Sequence, residues 1–163
     1  MILGLRAKKI GAVAVLELRV PAFEFALGAI APFAFDPEAL VTIFAEPPAL
    51  HRFPKAMAVR VQEVCRVLVD QYGGDAAALW RDVPSSAELF QRILALPGFG
   101  KQKAQILVAL LGKQYGVQPP GWREAAGGYG EEGSYKSVAD IVDAGSLGRV
   151  RAFKKAMKAA AKG

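Results

Sequence analysis

The stretch that most constrains this chain is residues 96–104, Leu-Pro-Gly-Phe-Gly-Lys-Gln-Lys-Ala. An apolar run of helical period stops there at a Pro-Gly-x-Gly turn, and a second such run starts at once with Lys101 and Lys103. The glycines permit positive φ and let main-chain N–H groups come close to an anion. A helix starting near Lys101 presents unpaired N–H groups and the positive end of its dipole, to which the two lysines add mobile charge. Such a hairpin grips a backbone phosphate and positions a protein on a strand without reading a base. The same letters also fit a plain αα-corner, with Gly100 as a cap and the lysines in water. The neighbours favour the phosphate grip. Phe99 between the glycines pins the hairpin to a core behind Leu96, and the small Ala104 lets the two helices approach closely.

The rest of the chain reads as helices. Asp36-Pro37-Glu38 supplies an N-cap, an N1 proline and an early acid for a helix through about Ala45. A second runs from about Lys55 to Tyr72 and stops at Gly73-Gly74, with Met57, Val61, Val64, Cys65, Leu68 and Val69 on one stripe. Asp75 caps a short helix through Trp80, and Ser85-x-x-Glu88 has capping-box spacing ahead of Leu89, Phe90, Ile93 and Leu94. After the hairpin, Ala104, Leu107, Val108, Leu110 and Leu111 face inward on a helix ending near Tyr115. The last helix begins at Ser146 and buries Leu147, Val150, Phe153 and Met157. Residues 1–35 show no clean period, and one all-α domain is expected over residues 36–163.

Charge is concentrated at one end. The chain carries a net charge of +6, and from Ser146 onward there are six basic residues and no acid. Residues 1–145 therefore hold fifteen of each sign. Arg151, Lys154, Lys155 and Lys158 form either a solvated helix face or a second set of backbone contacts, weakening as salt rises.

With 53% apolar and 22% charged residues the chain is too apolar for disorder. Its single cysteine, Cys65, excludes a disulfide framework, a zinc site of ordinary spacing and a cysteine-ligated iron–sulfur cluster. The lone His51 reads as a structural hydrogen-bonder, so no side-chain metal site is expected. Residues 10–35 are interrupted by Glu17, Arg19, Pro21, Glu24 and Pro32, short of the ~20 unbroken apolar residues of a membrane span and unlike a secretory leader. A cytoplasmic location is the expectation. Residues 116–135 form a long loop rich in glycine, with Trp122, Tyr129 and Tyr135 either anchoring it or serving a function.

The hairpin, the apolar helix after it and the Gly/Pro-rich loop resemble the helix–hairpin–helix DNA glycosylases of base-excision repair (HhH-GPD type), over roughly residues 36–163. Residues 54–74 look like the long helix that family places before its hairpin. The strings PPGWREAAG, YGEEGSY and SVAD are similar to a bacterial subgroup of such repair proteins that lacks the lyase lysine. The resemblance implies a helix–hairpin–helix bundle in which Leu96, Pro97, Gly98, Phe99 and Gly100, with Lys101, Gln102 and Lys103, hold double-stranded DNA. It also implies a monovalent cation on the hairpin carbonyls. Family members that cut the strand carry a lysine where this chain has Gln102, and an amide cannot form a Schiff base. The implied activity is therefore hydrolysis of the N-glycosidic bond of a damaged or mismatched base, by a monomer, with no other cofactor. The family's aspartate, which stabilises an oxocarbenium-like sugar, falls here among Pro120, Gly121 and Trp122. Glu124 is the nearest carboxylate, with Glu131, Glu132 and Asp140 beyond it. It is the candidate catalytic group and equally fits a solvated or ion-paired residue on an exposed loop beside Arg123. Trp122 and Tyr129 are candidates to stack on a flipped base. Residues 1–35 contain no Gln, Asn or His to act as a wedge, so the amino-terminal part is expected to be incomplete or divergent. Two alternatives stay open: a non-catalytic DNA-binding protein that kept the grip and lost the acid, and a helical interaction domain whose hairpin is only a corner.

Overall fold

Local punctuation sets where each helix begins. The computed structural model describes residues 36–47 and 49–161, and every regular element among them is helical. The fold is all-α. The expectations for residues 1–35 lie outside the described residues. The chain divides after Leu79 into two units, where the sequence suggested one domain over residues 36–163.

In the first unit, α1 spans Pro37–Ala45. The Asp36 carboxylate accepts the N–H groups of Glu38 and Ala39 at 3.0 and 2.9 Å, and Pro37 presets the first helical φ. α2 spans Pro54–Tyr72 and ends at Gly73, whose φ of +60° a β-carbon would disfavour. The two helices pack through Leu40, Phe44 and Ala58, flanked by Val41, Met57 and Val61. Of the stripe expected on α2, only Cys65 is fully buried; Met57, Val61, Val64, Leu68 and Val69 are half-buried. After α2 the Asp75 carboxylate accepts the Ala77 N–H at 2.9 Å, and the expected short helix is a 3-10 turn over Ala76–Leu79.

In the second unit, α3 spans Ser86–Leu94. The Ser85 hydroxyl accepts the Glu88 N–H at 3.3 Å, but Glu88 turns to Arg92 at 3.0 Å instead of completing the box. α4, Lys101–Gln114, is the central element; Ala104 and the run from Leu107 to Gly112 are buried. α5, Trp122–Ala126, and 3-10 turns over Gly127–Tyr129 and Val138–Asp140 pack on it. Gly112 has no side chain, which lets the Trp122 ring lie flat on α4; a β-carbon at 112 would collide with that ring.

α6 spans Ala144–Ala160 and starts two residues before Ser146. Asp143 is its N-cap and Ser146 the third residue of a closed capping box. Of the four core residues expected on α6, Val150 is buried, Leu147 and Phe153 are half-buried, and Met157 is 55% exposed. The apolar period runs on past the part of the unit that covers it, so every described residue from Lys154 onward is exposed. No helix among the described residues is long and apolar enough to cross a membrane.

Candidate nucleic-acid interface

Between α3 and α4 the chain reverses in one tight turn. The Phe99 N–H donates to the Leu96 carbonyl at 3.1 Å, across Pro97 and a Gly98 with φ of +76°. Proline followed by a positive-φ glycine is the signature of a type II turn. Leu96 and Ala104 are buried and Phe99 is half-buried, so the apolar residues hold the hairpin to the core as the sequence suggests.

The chain then enters α4 through Gly100, with φ −95° and ψ 176° and no side-chain cap. Among the described residues no acceptor meets the N–H groups of Gly100, Lys101, Gln102 or Lys103. All four residues are exposed, and a β-carbon at Gly100 would find nothing within 4 Å. These amides converge on the positive end of a fourteen-residue helix. An anionic oxygen meets there both hydrogen-bond donors and a favourable field.

Two side chains of this first turn are engaged. The Lys103 ammonium donates to the Gly98 carbonyl at 2.8 Å. Gln102 donates through Nε2 to the Tyr129 hydroxyl at 2.8 Å, which ties the following loop to the start of α4. Tyr129 thus stands beside the hairpin. Trp122 does not serve as expected: it is 8% exposed, packed on Gly112 and covered by the Arg123 guanidinium at 4.6 Å from the ring centroid. It is a core residue of the α4–α5 contact and has no open face for a base.

Glu124 is exposed on α5 and borders a hollow of about 410 Å³ with Arg123, Gly127, Gly130, Glu131 and Glu132. None of residues 96–104 lines that hollow. Of the solvated and ion-paired alternatives for Glu124, the structure shows an exposed side chain, while Arg123 donates to the Gly130 carbonyl at 2.8 Å and lies 3.9 Å from Glu132. Glu131 is paired with Lys136 at 2.5 Å. The structure therefore bonds Tyr129 to the start of α4, while Glu124 borders a hollow that no hairpin residue lines.

Asp140 is structural. Its carboxylate accepts from the Lys113 ammonium at 2.5 Å, from the Ser134 hydroxyl at 3.2 Å and from the N–H groups of Lys136 and Ser137 at 2.9 and 3.0 Å. Lys113 also donates to the Glu131 carbonyl at 2.7 Å and the Ser134 hydroxyl at 3.1 Å. With side chains 16% and 3% exposed, Lys113 and Asp140 form a buried, fully hydrogen-bonded pair that clamps the loop to the carboxyl end of α4. Sequence reading missed Lys113, although Ser137-x-x-Asp140 has capping-box spacing that marks the turn around Asp140.

On α6, Arg151, Lys154, Lys155 and Lys158 are exposed and share one face at i, i+3, i+4 and i+7 spacing. Arg149 is used otherwise: its guanidinium lies 4.2 Å from the Tyr135 ring centroid and anchors that loop. His51 Nδ1 accepts the Phe53 N–H at 3.0 Å, a structural role. Cys65 is buried on α2, and that burial pushes its thiol above its ordinary pKa. Among the described residues no group of three or more His, Cys, Asp or Glu side chains is placed to hold a metal ion.

Comparison of the chain with known proteins returns no matching family model, no matching curated sequence and no matching solved structure.

Proposed function

We propose that this chain binds double-stranded DNA by its backbone, through the 96–104 hairpin, in the manner of the helix–hairpin–helix repair proteins that it resembles. The open first turn of α4 carries the reading: the amides of four exposed residues meet no acceptor among the described residues, at the positive end of a helix and beside Lys101. The α6 stripe of Arg151, Lys154, Lys155 and Lys158 belongs to the same unit and supplies further phosphate contacts. Contacts of this kind position a protein and release counterions, so binding is sequence-tolerant and weakens steeply with salt. A nucleoid-associated location follows from it.

A fluorescein-labelled duplex, titrated at several potassium chloride concentrations and followed by anisotropy, tests the proposal. Expected is a linear fall of log affinity with log salt, the same for duplexes of unrelated sequence. Failure to bind at low salt contradicts it.

A second reading, a monofunctional DNA glycosylase, draws on the exposed Glu124 carboxylate, which borders an open surface hollow. With an amide at position 102, itself bonded to Tyr129, the reaction would be hydrolysis without strand cleavage. Base release from duplexes carrying deaminated, oxidised or alkylated bases, abolished in Glu124→Gln, supports this second reading. Tight binding with no release from any of them leaves the chain as a DNA-binding module.

A further inference from the structure

The hairpin carries a cation of its own. The Lys103 ammonium folds back past the start of its helix and donates to the Gly98 carbonyl oxygen at 2.8 Å. The helix dipole disfavours a positive charge at this end, so the carbonyl is what holds it there. A bound alkali-metal ion would need several carbonyl oxygens to converge and replace its water shell. Here the Gly98 carbonyl already meets an ammonium at 2.8 Å, and a second cation beside that charge would be repelled. With the Lys103 ammonium in place, the hairpin does not fit the monovalent cation that the family resemblance implies.

We infer that the Lys103 ammonium replaces that cation, so that the hairpin is held and charged without a metal ion. Its biological use rests on the phosphate-grip reading; its chemistry does not. An ammonium has three N–H donors, of which Gly98 takes one, and the others face solvent or a strand phosphate. Because this cation is covalently attached, the shape of the turn and its affinity for a strand are indifferent to which alkali ion is present.

The test compares the full chain with Lys103→Met and Lys101→Met in potassium, sodium and tetramethylammonium chloride at equal ionic strength; tetramethylammonium is too large to nest among carbonyls. Lys101 makes no carbonyl contact of this kind among the described residues, so its variant controls for lost charge and for general salt effects. The first readouts need no DNA: the melting temperature, and the amide NMR shifts of Phe99 and Gly100. For the wild type and Lys101→Met, neither readout distinguishes the alkali ions from tetramethylammonium. In Lys103→Met the vacated carbonyl recruits the ion, so the melting temperature rises in potassium or sodium and the two amide shifts titrate to saturation. A saturable alkali-ion response in the wild type overturns the inference. So does a Lys103→Met variant as indifferent as the wild type. Affinity for a labelled duplex is the second arm: unchanged across the salts for the wild type, and at least threefold better in potassium than in tetramethylammonium for Lys103→Met. A chain that binds no duplex in any salt contradicts the phosphate grip alone, and the melting and amide readouts still decide the role of Lys103.

Discussion

At the start of α6 the Asp143 carboxylate accepts the Ser146 N–H at 2.6 Å, and the Ser146 hydroxyl accepts the Asp143 N–H at 2.9 Å. At the start of α4, Gly100 offers no side chain at all, and the amides after it meet no acceptor among the described residues. α1 and α3 follow α6, with Asp36 and Ser85 as caps. α2 also lacks a side-chain cap, but it begins with Pro54, which has no N–H to satisfy. A helix end whose amides are used internally is a structural joint. One whose amides are exposed on a pinned, apolar-backed turn is available to an outside anion.

The contrast also runs along α4 itself. At its carboxyl end Lys113 and Gln114 bind the loop that follows; Gln114 Nε2 donates to the carbonyls of Val138, Ala139 and Ile141 at 3.2, 3.0 and 3.2 Å. Removing a partner there should cost stability, whereas changes at the amino end should cost binding. Asp140→Ala has the largest expected effect: it strands the Lys113 ammonium in a buried site and costs about 3 kcal/mol, seen as a lower urea midpoint. Gly112→Ala comes next. Its methyl group meets the Trp122 ring and costs roughly 1–3 kcal/mol by overpacking, with loss of the near-ultraviolet Trp signal. At the other end, Lys101→Ala should leave the melting temperature unchanged and reduce the slope of log affinity against log salt by about 1. Equal effects on stability at both ends would remove the distinction.

The α6 cap gives the smallest effect, and it depends on pH. The Ser146 backbone N–H, then its hydroxyl, hold the Asp143 carboxyl below its ordinary range, with Arg149 adding to the shift. A lowered carboxylate pKa contributes stability above the unfolded value of about 4, which is lost as pH falls through the folded value. The melting-temperature gap between the wild type and Asp143→Ala should stay constant from neutral pH to about pH 4 and close below it. A gap that instead widens in acid would show that the carboxylate is not the stabilising form.

Much of this was legible because it is local. Asp36-Pro37, Ser85, Gly73 and Pro97-Gly98 act within a few residues of themselves, so their chemistry reads directly from the chain. Other features are tertiary. Lys113 and Asp140 are 27 residues apart, and nothing near either marks the pairing. Trp122 reads as an available aromatic until Gly112, ten residues earlier in sequence, is seen to make room for it. Met157 fits the apolar period of α6, but a period does not say where its covering surface ends. Glu124 was the nearest carboxylate in sequence, yet the hollow that it borders includes no residue of the hairpin.

Gly100→Asp tests the central claim most directly, because it turns the start of α4 into a copy of the start of α6. The backbone at Gly100 is already extended, and the new side chain enters open space, so the carboxylate can cap the amides and add about a few tenths of a kcal/mol of stability. Measured on a labelled duplex by anisotropy, affinity should fall at least tenfold in a chain that melts no lower than the wild type. Gly100→Ser, which caps without charge, should move the same way by less. A folded Gly100→Asp variant that binds duplex as tightly as the wild type would contradict the account.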